Sequence, residues 1–495
     1  LADRLGGLPA RVSMAALVVD NASLEVRAYA GSADFTDAER FSHVDMVQAP
    51  RSPGSTLKPF LYGLALDEGL IHSESLLADV PQSFGGYQPG NFQQSFHGPV
   101  SVSEALTKSL NVPAVEVLER LDPVRFVALL RRGGLKLEFA KGGEPNLAVI
   151  LGGASTRLEQ LVGAYTAFAR GGLAGKPRYT PDAPIEEQRM LSAGAAFIIR
   201  DLLESGGPLG RAVESGAGIR RGIAWKTGTS FGFRDAWSVG VSDRYTIGVW
   251  VGRPDGTPNP GFFGANIAAP LLVDLFNALD AGPPAPRTPP PGVKQERICW
   301  PLGIRAAGLD DRLCHQSRLA WTLNDAAPPT FPDRLRGGEA RYDIQLTPDG
   351  QLRARPDCHA GPLDTRPMAR WPAVLEPWLD DNLRRRALPP QWAASCAGQA
   401  RPESGLKIVG ASHGEILRRS AGGDAPLLHL QVRGHSVHGK AGGPGTEVVW
   451  LVNGRPSARQ PAGKGFEQRL TEPGRYDITV LDDSGAYDRI SLSVR

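Results

Sequence analysis

No apolar run of about 18 residues occurs anywhere in the 495 positions, so the sequence contains no segment able to cross a bilayer as a helix. Cysteine is sparse, with four residues and no Cys-x-x-Cys pair, which argues against zinc. Charge of one sign is also lacking. With 55 basic and 52 acidic residues, the net charge of +3 leaves no nucleic-acid footprint. Lysine is scarce, ten residues against forty-five arginines, and that scarcity makes any lysine-bearing motif informative. The chain opens Leu1-Ala2-Asp3 without an initiator methionine or signal peptide, and is expected to be a fragment of a longer protein.

What is present is an ordered set of short motifs. K-T-G occurs once, at Lys226-Thr227-Gly228, where ten lysines predict about 0.04 chance matches. S-x-x-K occurs twice against roughly 0.6 expected. One match is Ser55-Thr56-Leu57-Lys58. The other, Ser404-Gly405-Leu406-Lys407, lies in a strand-like stretch where positions i and i+3 do not share a face. Ser109-Leu110-Asn111 falls between, so S-x-x-K, S-x-N and K-T-G follow in order, with Thr229 and Ser230 extending the last.

These residue types suit serine acyl transfer. A serine hydroxyl is a weak nucleophile until a neighbouring base takes its proton, and on a helix the residue at i+3 shares its face, so Lys58 can reach Ser55. A free lysine titrates near 10.4, so Lys58 must be pushed down to act. Apolar Phe60, Leu61 and Leu64 would dry its surroundings, and Lys226 would add a like charge across a shared cleft. Ser109 would relay a proton between the two amines, and Asn111 would position substrate or Lys58.

Local signals place the motifs. Pro53-Gly54 reads as a turn before a helix, setting Ser55 at a helix N-terminus whose free N–H groups favour negative charge. Pro59 is tolerated only near a first turn. Ser101-Val102-Ser103-Glu104 has capping-box spacing and Pro113 can open the next helix, so Ser109 and Asn111 fall at an inter-helix elbow. Residues 15–20 and 24–30 read as a hairpin, and 236–242 with 245–252 as another, so Lys226 is expected on an antiparallel sheet edge. The intervening chain is mostly helical, giving an α/β two-layer domain.

The segments Arg51–Phe60, Leu151-Gly152-Gly153-Ala154-Ser155, Gly163–Phe168 and Arg234-Asp235-Ala236-Trp237 extend the likeness, and the whole chain resembles the transpeptidase portion and C-terminal module of class A penicillin-binding proteins. That resemblance implies a penicillin-binding/serine β-lactamase-like fold, an antiparallel sheet flanked by helices. Ser55 would be the acyl-accepting nucleophile, Lys58 its base and Ser109 a proton shuttle. Asn111 and the Thr227-Gly228-Thr229 stretch would contact substrate, Lys226 with Thr227 and Thr229 would bind the terminal carboxylate, and the amides of Ser55 and Thr229 would form the oxyanion hole. The donor would be the D-Ala-D-Ala end of a peptidoglycan stem peptide, the acceptor an amine on a neighbouring stem, and β-lactams would acylate the same serine. No metal, nucleotide or other cofactor is implied. The resemblance further implies a periplasmic location, with an inner-membrane anchor and a glycosyltransferase domain in the part of the parent protein before this sequence.

Class A β-lactamases carry aspartate in the middle of the second motif and a glutamate that activates water. Here the middle residue is Leu110, and Glu159 is the nearest glutamate by position, its helical setting favouring a solvated surface role. A transpeptidase therefore fits better than a hydrolase. Hydrolysis by a carboxypeptidase or β-lactamase, and a non-catalytic penicillin-binding scaffold or sensor, remain the alternatives, separated by whether an amine releases acyl-Ser55.

Residues 283–291 contain six prolines and read as a stiff linker, so the chain divides into a transpeptidase domain (1–282), a linker and Cys-containing irregular connecting region (283–401) and a β module (402–495). Four cysteines allow three disulfide connectivities; Cys299–Cys314 with Cys358–Cys396 closes the shortest loops, four buried free thiols being the alternative. His315 and His359, each beside a cysteine, are expected to be solvated loop residues rather than ligands. Past residue 402, alternation at Leu428/Leu430/Val432, Val448/Trp450/Val452, Tyr476/Ile478/Val480 and Ile490/Leu492/Val494 predicts a small immunoglobulin-like sandwich. The resemblance implies that this C-terminal module binds or positions a cell-wall protein partner. Gly410-Ala411-Ser412-His413-Gly414 has the spacing of an α/β-hydrolase nucleophile elbow, but that elbow needs a strand-to-helix turn and the context here is β-turn-β.

Overall fold

Ser13–Asp20 is buried at every position, so it must have neighbours on both edges and cover on both faces. A computed structural model, which describes residues 1, 4, 6–93, 95–206, 222–279, 285–335, 338–396, 406–419, 425–434, 447–482 and 486–495, supplies both. Five antiparallel strands lie in the order Val26–Ala30, Ser13–Asp20, Tyr245–Gly252, Asp235–Val241, Ala224–Thr229. The K-T-G strand is thus an edge, and its register sets Lys226 opposite Val239 and Gly228 opposite Trp237.

Strand periodicity splits the sheet chemically. Lys226, Gly228, Trp237 and Gly248 share one face, and Trp225, Thr227, Ser238 and Gly240 the other. Glycine marks where a helix comes close on each. A Cβ at Gly248 would lie 2.4 Å from Val162 and 2.6 Å from Leu158, on the helix Leu158–Tyr165. One at Gly240 would lie 2.7 Å from Phe276, on the helix Ala269–Leu279 across the other face.

The helix Lys58–Asp67 buries every residue up to Leu66 and has no polar stripe, which marks a central helix rather than a surface one. It continues directly from a single 3-10 turn, Gly54–Leu57, with Pro59 in its first turn. Val102–Thr107 begins with the full Ser101/Glu104 capping box, and Val112–Leu121 follows after a four-residue break that carries Ser109 and Asn111.

The chain forms two compact units. One comprises residues 1–75, 101–296 and 319–328; the other comprises 76–100, 297–318 and 329–495. Within and next to residues 76–100, Leu76–Asp79 and Gly98–Ser101 pair with each other in a two-stranded sheet. The 283–401 stretch is less irregular than its sequence implies, with strands at Val293–Pro301, Cys314–Leu323, Arg341–Leu346 and Asp364–Ala369. Their outward positions are charged or exposed, which hides the alternation. The disulfides join Cys299 to Cys314 and Cys358 to Cys396. His315 is not solvated: it lies on a strand, is 1% exposed, and its Nδ1 accepts from Trp371 Nε1 at 2.9 Å. Burial pushes its pKa down.

The C-terminal module has two sheets. Lys407–Val409, Leu427–Arg433 and Phe466–Arg469 form one; Ile416–Leu417, Tyr487–Val494, Gly474–Asp482, Glu447–Val452 and Arg455–Pro461 form the other. Leu428, Leu430, Trp450, Ile478, Val480 and Leu492 share its core. Gly410–Gly414 bridges two strands of this module, and Ser412 spends its backbone N–H on Glu415. The strand Ile416–Leu417, not a helix, follows that turn, so the hydrolase-elbow spacing has no elbow. Ser404 and Gly405 of the second S-x-x-K, Pro283 and Pro284 of the linker and the 401/402 boundary lie outside the described residues.

Candidate active site

Ser55 is the second residue of the Gly54–Leu57 turn, half-buried among buried neighbours. The turn lies against the edge strand because both contact points are glycine. A Cβ at Gly228 would fall 2.3 Å from Pro53 O, and one at Gly54 (φ +53) would fall 2.5 Å from Thr229 O. Any side chain at either position would lift Ser55 off the strand.

Every segment that extended the sequence likeness braces this turn. Ser52 Oγ donates to Gly152 O at 2.9 Å, and Trp237 Nε1 donates to Ser52 O at 2.7 Å. Arg51 and Thr156 exchange backbone hydrogen bonds at 2.9 Å, and Tyr165 OH donates to Thr56 O at 2.6 Å. Asp235, 5% exposed, accepts from Ser230 Oγ at 2.9 Å and Trp250 Nε1 at 3.0 Å, with Arg51 Nε 3.7 Å away. Burial raises its pKa against those lowering contacts. Sequence reading gave none of Ser52, Tyr165, Asp235 or Trp237 a role, although their segments carried the signal.

The two lysines are wholly buried. Lys58 Nζ donates to Ser109 O at 2.8 Å, Leu110 O at 2.9 Å and Asn111 Oδ1 at 2.7 Å. Lys226 Nζ donates to Ser109 Oγ at 2.7 Å and Thr227 O at 2.9 Å. Desolvation lowers its pKa to about 7. Ser109 therefore meets one lysine through its carbonyl and the other through its hydroxyl, and it does so with φ 58, a left-handed conformation uncommon for serine.

Thr227 and Thr229 face away from Lys226, as strand alternation requires, and Thr229 Oγ1 accepts from Gly264 N at 3.1 Å. Glu159 is not merely a solvated surface carboxylate: it is half-buried and accepts from Gln48 Nε2 and Tyr179 OH, each at 2.7 Å.

A serine at a helix start, two buried lysines joined through a second serine, and an edge strand beside them are the parts of a serine acyltransferase. The sequence pattern described as the penicillin binding protein transpeptidase domain matches residues 14–270, and this chain belongs to that family. Residues 292–322 and 335–387 match the first and second linker domains of penicillin-binding protein 1C, and residues 396–492 match the penicillin-binding protein C-terminus family. The chain is 45% identical over 492 residues to penicillin-binding protein 1C of Escherichia coli, covering 97% of this chain and 61% of that protein. Penicillin-binding protein 1A of Pseudomonas aeruginosa is 26% identical over 382 residues, 62% of this chain and 45% of that protein. Among solved structures, penicillin-binding protein 1A of Haemophilus influenzae shares the fold at a TM-score of 0.55 and 20% identity, over 64% of this chain and 54% of that one.

Proposed function

We propose that this chain carries a peptidoglycan DD-transpeptidase, with the D-Ala-D-Ala end of a stem peptide as donor and the amine of a neighbouring stem as acceptor. The observation that carries this reading is the pair of buried lysines, Lys58 and Lys226, joined through the half-buried Ser109 beside the turn bearing Ser55. Ser55 Oγ attacks the donor carbonyl and its proton passes to Lys58, which must enter this step as the neutral amine. The amides of Ser55 and Thr229 receive the oxyanion, and Asn111 and Gly228 line the substrate path. On collapse, the C–N bond breaks and the departing D-Ala amine takes the Ser109 Oγ proton, which Lys226 replaces. Attack by the acceptor amine on acyl-Ser55 reverses these transfers and forms the cross-link. β-Lactams stop at the first acylation. Two disulfides support a periplasmic setting, because such bonds persist in oxidising compartments.

Lys226 is the proposed partner of the donor's terminal carboxylate, without Thr227 and Thr229, whose side chains leave the strand on the opposite side, and its pKa gives that role a sign. With its pKa lowered to about 7, the free enzyme loses the binding-competent ammonium as pH rises through that value. Second-order acylation by a carboxylate-bearing penicillin is expected to fall on the alkaline side of about 7, and Lys226→Arg, whose guanidinium stays charged but cannot resupply the Ser109 proton, is expected to lack that limb on a lower overall rate. A profile without such a limb in the unmodified enzyme would count against the carboxylate role.

The transpeptidase reading is tested by acceptor dependence. A thioester or depsipeptide donor should acylate Ser55, and a stem-type amine should raise release several-fold over water and yield a cross-linked product. Release by water alone, unaffected by amine, would make the chain a hydrolase.

A further inference from the structure

The exposed face of the three-stranded sheet in the C-terminal module carries positive charge that little among the described residues answers. Odd-numbered residues of Lys407–Val409, Leu427–Arg433 and Phe466–Arg469 point outward, since hydrogen-bonded strands share one two-residue period. The registers set Lys407 opposite Arg433, Val409 opposite Gln431, His429 opposite Glu467 and Leu427 opposite Arg469. Two cations directly across a strand pair repel and weaken the sheet, so Lys407 beside Arg433 is a cost with no benefit to folding. On this face, among the described residues, the one carboxylate is Glu467, held by His429 at 3.2 Å. Lys464 adds a further cation at the turn beside it.

A groove of about 760 Å³ runs along these residues, lined by Val409, Gly410, His429, Gln431, Arg433 and Lys464 with their neighbours. Its floor is backbone at one point: Gly410 (φ +109) lies so close to the next strand that a Cβ would fall 2.3 Å from His429 O. The cationic Arg433 and Lys464 and the polar His429 and Gln431 stand among apolar Val409, Leu430 and Phe466, and the two cations suit an anionic chain.

We propose that this groove binds a carboxylate-bearing peptidoglycan strand. Arg433 and Lys464 pair with its carboxylates, and His429, Gln431 and Glu467 hydrogen-bond its amides and hydroxyls. Choosing this polymer rests on the transpeptidase reading above; the unanswered charge does not. Such a site holds the chain on its substrate independently of Ser55 and raises the local concentration of stem peptides.

The test uses the full chain with Ser55 blocked by a penicillin, so that the acyl-transfer cleft cannot contribute. Cosedimentation with purified, protein-free sacculi is measured for the unmodified chain, for Arg433→Glu/Lys464→Glu, and for Arg385→Glu/Arg455→Glu, which makes the same charge change elsewhere in the second unit. The groove variant is expected to bind about tenfold more weakly or worse, and the control as the unmodified chain does. Melting followed through Trp450, which stacks on Phe466 at 4.6 Å, checks that the module is folded. If the double variant melts early, Arg433→Gln/Lys464→Gln takes its place. Equal loss in the control, no loss in the groove variant, or binding to anionic phospholipid vesicles in place of sacculi would each overturn the proposal. Failure of the penicillin to label Ser55 would count instead against the acyl-transfer reading, and sacculus binding would still be read on the unlabelled chain.

Discussion

Replacing Lys58 with alanine is expected to slow acylation of Ser55 by about a thousandfold, the middle of the range for loss of a positioned general base. The fold contributes its own signal. Ser109 O, Leu110 O and Asn111 Oδ1 each lose a donor, and a buried acceptor left unmade costs about 1–3 kcal/mol unless water enters the vacated space. Thermal stability should therefore fall as well. Methylamine, small enough for that space, separates the two effects: it should restore part of the acylation rate in Lys58→Ala, with a pH dependence that follows the free amine. Unchanged acylation of Ser55 in Lys58→Ala would remove Lys58 as the base.

Gly228→Ala is the second large effect, and its origin is spatial. The new methyl would lie 2.3 Å from Pro53 O and 2.7 Å from Thr56 Cγ2, and neither can yield cheaply. Pro53 O already accepts from Thr56 N at 3.2 Å and Thr56 Oγ1 at 2.9 Å, so the turn must move as a body. A shift near 1 Å between nucleophile and oxyanion donors is worth about a hundredfold in rate, while overpacking costs about 1–3 kcal/mol of stability. Acylation should drop far more than melting temperature does. Gly256→Ala, with open space around it but φ +76, serves as the comparison in which backbone strain is present and the clash is not. Equal losses of acylation in the two variants would mean that the close approach of turn and strand is not what matters.

Much of the site was legible before any coordinates because its chemistry depends on residue type and short spacing. Lys226 on an edge strand, Ser55 at a helix start and Ser109 with Asn111 at an elbow each follow from local rules of alternation, proline placement and capping. What was not legible is long-range. Trp237 reaching Ser52 and Tyr165 reaching Thr56 join residues 185 and 109 positions apart, and nothing local encodes those pairs. Burial is likewise a property of the folded whole. Desolvation lowers the pKa of Lys226, which no local pattern in the sequence announces. His315 was expected in water and lies against Trp371, because the strand that carries it has no clear alternation in its sequence.

The most direct test is intact-mass analysis of the chain after incubation with a labelled penicillin, followed by peptide mapping. A single adduct on the peptide containing Ser55, absent from Ser55→Ala, is the predicted result. No adduct, or an adduct that persists on another serine in Ser55→Ala, would contradict the account.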